Sequence, residues 1–260
     1  MTSDSQPSRR VLGDTAFRKL FPETRFVAFN RRQDRLLFFS IVDELVGSDD
    51  LVLDLGAGRD RFAEFGPHLD RISRLKARCK RVIGVDVDPI VLTNQALDEA
   101  HVIVPGERLP FADASVDLIY SYAVLEHVDD PAALVDEIAR ILKPGGWFCA
   151  WTPNKWGYVG LGARLVPNSL HARLLRTIQP QSRLQADVFP TRYRMNTLRA
   201  VRRLFGAHDF ESFSFPYNAQ PSYNLGRPLM ARFWLLVMAL APASMSQSLM
   251  VFERKRPAHP

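Results

Sequence analysis

The amino-acid sequence predicts an α/β fold: a doubly wound, mostly parallel sheet with helices on both of its faces. Short apolar runs of strand length alternate along the chain with stretches of helical periodicity. Most of these runs are apolar at nearly every position, which is typical of parallel strands that are buried on both faces. A glycine-containing loop, residues 56–58, directly follows the first run. Because such sheets bind ligands beyond the carboxyl ends of their strands, the chemistry is expected in the loops there.

Seven strands and several helices follow from the periodicity. A helix over 33–46, with apolar residues on one face, precedes the first strand. A second helix runs over 131–142, with Asp130 as its N-cap, and ends at the Lys-Pro-Gly-Gly of 143–146. Thr197 is predicted to cap a third helix. The strands are predicted at 51–55, 81–86, 101–104, 116–120, 147–151, 210–215 and 249–254.

The composition is that of an ordinary globular protein. Its 260 residues, 47% hydrophobic and 24% charged, suit one large domain or two small ones and exclude wholesale disorder. The two cysteines, Cys79 and Cys149, form no Cys-x-x-Cys pair, so neither a disulfide framework nor a metal site is predicted. The polar N-terminus lacks the apolar run of a secretory signal peptide, which predicts a cytoplasmic location.

Charge is unevenly distributed, although the net charge is only +6. Between Lys155 and Ala207 stand ten basic residues and a single acidic one, Asp187. This excess predicts either an anionic partner, such as a phosphate-bearing substrate or a membrane surface, or a solubilising arginine face. The apolar run 229–241 is too short to cross a bilayer as a helix. It is predicted to be either a buried helix or a helix lying at a membrane interface.

Two acidic residues stand near the ends of the first two strands. Gly56 and Gly58 let the backbone turn sharply and approach a ligand closely. The third glycine of a dinucleotide fingerprint is missing, and the carboxylate of Asp54 suits an ammonium or sulfonium group better than a pyrophosphate. Asp86 ends the second strand, where it can accept hydrogen bonds from both hydroxyls of a ribose. Asp88 is predicted to cap the helix that follows.

Five motifs in register resemble the class I S-adenosylmethionine-dependent methyltransferases, close to their type 11 and type 12 groups. They are VLDLGAG (52–58), VIGVDVDP (82–89), GERLPFADASVDLIYSYAVLEHVDDP (106–131), EIARILKPGGWF (137–148) and TPN (152–154). The resemblance covers residues 45–155. It implies a Rossmann-like sheet of seven strands with an antiparallel edge strand at 249–254, and S-adenosylmethionine as the cofactor.

On this resemblance the chain divides into three segments of one domain. An N-terminal segment with a cap helix (1–45) precedes a cofactor-binding core (46–155). The C-terminal half (156–260) carries a basic insertion at 156–195 and an apolar insertion at 217–247.

The resemblance also implies which residues contact the cofactor. Asp54 would lie near its amino group, Asp86 would hold its ribose hydroxyls, and Val87 would pack on the adenine face. Pro105 stands where relatives commonly carry the acid that contacts the adenine amino group, so Glu107 or a backbone amide is the expected substitute. The full predicted set is Asp54, Gly56, Ala57, Gly58, Asp86, Val87, Gly106, Glu107, Ser121 and Tyr122.

His127 is the candidate general base for a hydroxyl acceptor, because it follows the fourth strand in Leu-Glu-His-Val. The alternative is that it only orients this loop. Asn154 and Tyr158 are candidate acceptor contacts, with turn chemistry and surface packing as their alternatives. Tyr193, with 188–190, is a candidate lid over the acceptor pocket. The fourth strand is followed by Ser-Tyr-Ala-Val rather than the motif of base-methylating enzymes, so no nucleic-acid partner is expected.

The sequence therefore predicts methyl transfer from S-adenosylmethionine to a small-molecule, lipid-linked or saccharide-linked acceptor, at oxygen rather than at nitrogen or carbon. An anionic acceptor and a peripheral contact with the inner membrane face follow from the basic and apolar segments. Two alternatives stay open. One is a methyltransferase-fold binding protein without activity, and the other is an NAD-dependent oxidoreductase on a similar sheet.

Overall fold

The structure, a computed structural model of the 260-residue chain, describes residues 19–27, 29–60, 62–158, 160–161, 189–221 and 227–257. Most of the predicted basic insertion at 156–195 therefore lies outside the described residues. So do four of the basic residues counted above: Arg164, Arg173, Arg176 and Arg183.

The described residues form one eight-stranded sheet with helices between its strands. The strands are β1 (Leu51–Leu55), β2 (Arg81–Asp86), β3 (Glu99–Val102), β4 (Val116–Tyr122), β5 (Leu142–Pro153), β6 (Phe210–Ser212), β7 (Phe215–Tyr217) and β8 (Ser248–Lys255). The α-helices are α1 (Asp34–Leu45), α2 (Pro67–Ser73), α3 (Pro131–Ile141), α4 (Leu198–Gly206) and α5 (Pro228–Leu240). Short 3-10 helices cover Pro22–Arg25, Phe62–Phe65, Pro89–Thr93, Leu125–His127 and Ala243–Met245.

The strand order is β3-β2-β1-β4-β5-β8-β6, with β7 also paired to β8. Strands β1 to β5 are parallel, and β8 runs antiparallel to β5, which confirms the predicted mixed sheet. The antiparallel strand is not at the edge, however, because β6 and β7 pair with its other side. The strand order reverses between β1 and β4. This switch point creates the crevice in which α/β sheets bind their ligands.

Several strand boundaries differ from the prediction. β5 begins at Leu142, which pairs with Val116 of β4, so the predicted turn at 143–146 is part of this strand. β4 and β8 extend one or two residues beyond their predicted ends. The third strand covers Glu99–Val102 rather than 101–104, because β2 ends opposite its last residue.

The predicted strand 210–215 is divided into β6 and β7. Between them the Ser214 hydroxyl accepts the hydrogen bond of the Phe252 N–H at 3.0 Å, in place of a backbone carbonyl. The side chain thus interrupts the ladder of β8.

Helices cover both faces of the sheet, as predicted. On one face α1 and α2 pack against the strands in a cluster that includes Phe38, Phe39 and Leu75. On the other face α3 and α4 pack through Ile138 and Phe205. None of these five side chains is more than 1% exposed. The two cores hold the strands in register, so the loops at their carboxyl ends start from fixed positions.

Helix caps are formed where the sequence predicts them. The Asp130 carboxylate accepts hydrogen bonds from two backbone N–H groups in the first turn of α3, both at 3.1 Å. The Thr197 hydroxyl accepts one from the first turn of α4 at 3.1 Å. Asp88 accepts one at 2.9 Å from the 3-10 helix after β2. These side chains satisfy N–H groups that have no partner within their helices.

The apolar run 229–241 forms α5, which is covered on one side only. The ring of Trp234 stacks on that of Tyr158 with centroids 4.5 Å apart. The carbonyl of Met238 accepts a hydrogen bond from the Asn218 side chain at 3.3 Å. On its other side the helix is exposed. Of the helices in the described ranges, none is both long and apolar enough to cross a membrane.

Candidate cofactor and acceptor site

The chain turns sharply at the carboxyl end of β1, at a position that requires glycine. The backbone N–H groups of Gly56 and Ala57 both donate to the Val85 carbonyl of β2, at 2.8 and 3.1 Å. Gly56 has a φ of +78°, and a Cβ there would stand 2.2 Å from a methyl carbon of Val124. Any side chain at this position would be strained and would collide with the loop after β4. The glycine therefore lets these two loops meet at the crevice.

The carboxylate of Asp86 holds this loop from the end of β2. Its Oδ2 accepts a hydrogen bond from the Gly58 N–H at 2.8 Å, and its Oδ1 accepts one from the Asp88 N–H at 2.8 Å. A carboxylate oxygen can accept two hydrogen bonds, so each retains capacity for a ligand hydroxyl. Asp86 is thus placed both to order the glycine loop and to accept hydrogen bonds from a ribose.

Asp54 is a buried carboxyl of β1, and it precedes the glycine loop. The Tyr120 hydroxyl donates a hydrogen bond to its Oδ2 at 2.8 Å. Burial raises the pKa of Asp54 to about 7, against the lowering effect of the Tyr120 hydrogen bond, and the nearby charge of Asp86 adds to the rise. A cationic group beside this carboxyl would favour its ionised form. The site therefore suits the ammonium group of an amino acid.

Asn94 fixes the glycine loop from its inner side, and no sequence pattern revealed it. Its Nδ2 lies 3.2 Å from the Ala57 carbonyl and 3.3 Å from the Gly58 carbonyl, while its Oδ1 accepts the Ala96 N–H at 2.9 Å. The side chain is buried. In a single sequence an asparagine just after a helical turn indicates only local turn chemistry. Its contact 37 residues away along the chain becomes visible only in the fold.

A cavity of about 230 Å³ lies beyond the carboxyl end of β3. Its lining residues are His101, Val102, Ile103, Val104, Glu107, Arg108 and Pro110. The Ile103 N–H donates to the Asp86 carbonyl at 2.9 Å, which places the cavity beside the predicted ribose site. Val87, which follows Asp86, is 40% exposed. A larger cavity, of about 320 Å³, lies near Asp117 at the amino ends of the strands, far from these loops.

In the predicted adenine region, Glu107 and Gly106 have different roles. Glu107 lines the cavity, whereas Pro105 has no side-chain donor or acceptor to offer. Gly106 has a φ of +86° and open space around it, so a glycine is favoured here by the backbone conformation and not by a close contact. Glu107 is therefore the better placed substitute for the missing acid.

Ser121 and Tyr122 end β4 and differ in what they offer a ligand. The Ser121 hydroxyl is buried and donates to the Leu55 carbonyl at 2.8 Å, so it ties β4 to β1. The Tyr122 ring stacks on Trp151 with centroids 4.7 Å apart, and the Arg35 guanidinium lies 5.5 Å from its centroid. Tyr122 thus forms an aromatic wall at this edge, while the hydroxyl of Ser121 is engaged within the sheet.

Asp34, at the start of α1, is a second carboxyl near this wall. Burial raises its pKa, against the lowering effects of the Arg35 charge and the Trp151 indole N–H. The Trp151 indole nitrogen is buried near this carboxyl but makes no hydrogen bond to it. The pKa of Tyr122 is also raised, first by burial, with the charge of Asp34 adding to the rise against that of Arg35. The predicted cap helix thus brings a polar group to the carboxyl edge of the sheet.

His127 follows β4 and is covered by the predicted lid. Its Nδ1 lies 3.0 Å from the Pro190 carbonyl oxygen, so Nδ1 carries a proton and Nε2 is the basic nitrogen of the neutral ring. Nε2 lies 3.9 Å from a carboxylate oxygen of Glu126, which would stabilise a protonated imidazole. Phe189 packs edge-on against the ring at 6.0 Å. Residue 188, also assigned to the lid, lies outside the described residues.

A buried chain of hydrogen bonds joins the lid to the sheet. The Asn196 amide donates to the Thr152 hydroxyl at 2.6 Å, and that hydroxyl donates to the Glu126 carboxylate at 2.9 Å. The Glu126 carbonyl accepts the backbone N–H groups of Arg192 and Tyr193 at 2.6 and 3.1 Å. Glu126, Thr152 and Asn196 are all buried. Two segments that are distant from His127 in sequence, β5 and residues 190–196, therefore set its position.

The three predicted acceptor contacts are engaged by the protein itself. Asn154 is buried, and its Nδ2 donates to the carbonyls of Ser244 and Ser246 at 2.9 and 2.8 Å, which favours the turn alternative. Tyr158 stacks on Trp234, which favours packing. Tyr193 is 7% exposed. Their contacts with an acceptor stay predictions.

The sequence pattern of the methyltransferase domain family matches residues 53–150. This region includes the glycine loop, Asp86, the cavity beside it and His127. Residues 53–150 are a class I S-adenosylmethionine-dependent methyltransferase domain. The cofactor of this class is S-adenosylmethionine, and the Rossmann-like fold predicted from the sequence is confirmed. The alternative of an NAD-dependent oxidoreductase is therefore set aside.

Relatives of this methyltransferase domain have several acceptors in their names. A probable S-adenosylmethionine-dependent methyltransferase of Mycolicibacterium smegmatis is 29% identical over 161 residues, 61% of this chain and 58% of that protein. A ubiquinone biosynthesis O-methyltransferase of Nitrosomonas europaea is 28% identical over 158 residues, 52% of this chain and 61% of that protein. The chain thus spans less than two thirds of the length of these curated relatives. Geranyl diphosphate C-methyltransferase of Streptomyces coelicolor superposes with a TM-score of 0.55 at 16% identity, over 95% of this chain and 87% of that chain.

The residues at the crevice fit S-adenosylmethionine. Asp54 offers a carboxyl of raised pKa to an ammonium group, and Asp86 retains hydrogen-bonding capacity for hydroxyls. Gly56 has no side chain, so the backbone is accessible to a ligand where the loops after β1 and β4 meet. Among the residues that the structure describes, no group of three or more His, Cys, Asp or Glu side chains is arranged to hold a metal.

Proposed function

We propose that this chain transfers the methyl group of S-adenosylmethionine to an oxygen atom of a small-molecule acceptor. The observation that carries the proposal is the arrangement of two carboxyl groups around one glycine loop. Asp54 precedes the loop, and Asp86 accepts a hydrogen bond from its Gly58 N–H at 2.8 Å. This arrangement matches a ligand that bears both a cationic amino group and a ribose.

In this proposal each polar group holds one part of the cofactor. Asp54 pairs with the amino group, and the cation favours the ionised form of this carboxyl, whose pKa is about 7 in the free protein. Asp86 accepts hydrogen bonds from the ribose hydroxyls through the capacity left by its two backbone contacts. Val87 and Glu107 contact the adenine face and the adenine amino group.

His127 acts as the general base. When bound, the cofactor would supply a methyl group on a positively charged sulfur, and that carbon would be open to in-line attack by an acceptor oxygen as the carbon–sulfur bond breaks. Nε2 of His127 would take the proton of the acceptor hydroxyl. Glu126, 3.9 Å from Nε2, stabilises the imidazolium that results. The Pro190 carbonyl keeps the ring in the required tautomer.

The acceptor in this proposal is anionic or carried on a lipid or saccharide. The basic excess between Lys155 and Ala207 supports an anionic group. Two of its arginines lie beside the lid, where Arg192 pairs with the Asp129 carboxylate at 2.8 Å and Arg194 donates to the Asp129 carbonyl at 2.6 Å. The O-methyltransferase of ubiquinone biosynthesis and the geranyl diphosphate C-methyltransferase named above have a lipid and a diphosphate in their names. A lipid-linked acceptor would place the chain peripherally at the inner membrane face.

A transfer assay with labelled donor tests the proposal. The chain is incubated with S-adenosylmethionine carrying a labelled methyl group and with three sets of hydroxylated acceptors: soluble phenols, lipid-linked phenols and lipid-linked saccharides. Product analysis by mass spectrometry then locates the methyl group. Methylation at oxygen supports the proposal, whereas methylation at nitrogen or carbon overturns the assignment of the atom. Cofactor binding without any transfer would favour the binding protein without activity.

A further inference from the structure

One side of α5 presents an apolar stripe to solvent. Four large side chains form it: Leu229, Phe233, Leu236 and Leu240. They are between 53% and 78% exposed. At ~100° per residue these positions fall within about 60° of the helix circumference. The buried residues of the helix, Ala231 and Met238, lie on the opposite side.

The stripe is held in a fixed position beside the acceptor edge of the sheet. Trp234 stacks on Tyr158, which follows β5, with centroids 4.5 Å apart. The segment after α5 is fastened to the same loop, because Asn154 donates to the carbonyls of Ser244 and Ser246. The stripe is therefore exposed although its helix is packed against the protein, at the edge where the lid and His127 lie.

The surroundings of the stripe are basic. Arg227 precedes α5 and Arg232 flanks the stripe, and both are exposed. The sequence contains no aspartate or glutamate between Ser212 and Phe252. A surface that is apolar along its centre and cationic at its side suits a partner that is negatively charged at its boundary with water and apolar beneath.

We propose that α5 docks the protein onto an anionic lipid bilayer, with the helix lying in the membrane plane and the stripe inserted among the lipid headgroups. The helix has 13 residues, and at 1.5 Å per residue it is about 20 Å long, too short to span the ~30 Å hydrocarbon core. Phe and Leu are typical of the apolar face of interfacial helices, and the stripe consists of these two residue types. The inference extends the proposed function, since it brings the acceptor site to a lipid surface.

A second copy of the chain is the rival occupant of the stripe. A two-fold contact through α5 would bring Arg232 of both copies towards one another. The region from Ser212 to Phe252 has no carboxylate to pair with them. Anionic lipid headgroups supply that charge, so a bilayer complements the surface better than a copy of itself does.

Co-sedimentation with vesicles tests the inference without donor or acceptor. Wild-type chain is expected to sediment with vesicles of phosphatidylglycerol and phosphatidylcholine in equal parts, less with phosphatidylcholine alone, and less as salt rises. The double variant Phe233→Glu, Leu236→Glu should bind these vesicles about a hundredfold more weakly. Replacing Arg227 and Arg232 by glutamine should weaken binding to anionic vesicles about fivefold to thirtyfold.

The matched control is the double variant Leu92→Glu, Phe213→Glu, which places the same charges on apolar residues that are 61% and 48% exposed elsewhere. It should bind vesicles as wild type does, and an equal loss in both double variants would overturn the inference. Absence of wild-type sedimentation at low salt would also overturn it. So would a dimer in light scattering that the α5 variant alone abolishes. Each variant is also titrated with S-adenosylhomocysteine: failure there counts against the proposed function and leaves vesicle binding to be judged separately.

Discussion

The cofactor side and the acceptor side of the crevice lie at the same edge of one sheet, but they are held by contacts of different range. Around the glycine loop, Asp86 and Asn94 reach partners 28 to 37 residues away. Around His127 and the loop after β5, the Glu126–Thr152 hydrogen bond spans 26 residues and others span 44 to 92. The glycine loop itself is therefore held from the next strand and the turn after it, while Asp54 and Ser121 join β1 to β4 across 66 residues. The acceptor side depends on distant segments that come together.

The largest expected effect is on catalysis, at the acceptor side. Replacing His127 by asparagine should lower the methyl-transfer rate about 10²–10⁴-fold, because the base is removed. Affinity for S-adenosylhomocysteine should stay the same, since no cofactor contact changes. His208→Asn is the control, because that histidine pairs with Asp136 on the outer surface at 2.9 Å. Near-normal turnover in His127→Asn would restrict this residue to a loop-orienting role.

The next effect is on the stability of the cofactor side. Gly56→Ala should reduce the free energy of unfolding by about 2–5 kcal/mol, because the new Cβ is strained at positive φ and meets Val124. Gly106→Ala has the same φ problem in open space, so it should cost only about 1–2 kcal/mol. Urea denaturation measures both. Equal losses of unfolding free energy in the two variants would show that the close contact between the loops after β1 and β4 adds nothing to the cost of Gly56→Ala.

Substitution of Asp86 tests whether this carboxylate binds the cofactor. Asp86→Ala should weaken binding of S-adenosylhomocysteine about tenfold to a hundredfold, because hydrogen bonds to a charged group are lost. Asp88→Ala is the neighbouring control. It removes a helix cap worth ~1 kcal/mol of stability but no predicted cofactor contact. Calorimetric titration of both variants measures the difference, and equal affinities would remove Asp86 from the site.

The smallest expected effect is a pH dependence at Asp54. In the free protein its pKa is about 7, and a bound ammonium group lowers it. Affinity for S-adenosylhomocysteine should therefore rise about fivefold to tenfold between pH 6 and pH 7.5, as the carboxyl becomes ionised in the free protein. In Asp54→Asn this rise should disappear. A wild-type affinity that is flat over this range would contradict the pairing.

Much of the fold and of the cofactor side could be predicted because their determinants are short patterns. Asp88, Asp130 and Thr197 are caps that one helical turn defines, and the structure confirms all three. The glycine loop and the acid at the end of β2 are likewise defined by a few adjacent residues. Patterns of this length do not depend on what the rest of the chain does.

The rest could not be predicted because it depends on contacts between distant segments. The Ser214 hydroxyl divides the sixth predicted strand by bonding to Phe252, 38 residues away. Asn196 reaches Thr152 across 44 residues. Neither residue type at its own position indicates a partner. For the same reason the sequence left open whether Asn154 contacts an acceptor or serves a turn, and in the fold its amide fastens the turn after α5. The exposure of α5 was one of two alternatives that only packing could decide.

The S-adenosylmethionine site proposed at the carboxyl edge of β1 and β2 can be tested by calorimetric titration of the unaltered chain with S-adenosylhomocysteine, and separately with NAD. We expect saturable binding of S-adenosylhomocysteine at one site per chain and no binding of NAD. Binding of NAD in place of S-adenosylhomocysteine, or no binding of S-adenosylhomocysteine, would show that this edge is not such a site.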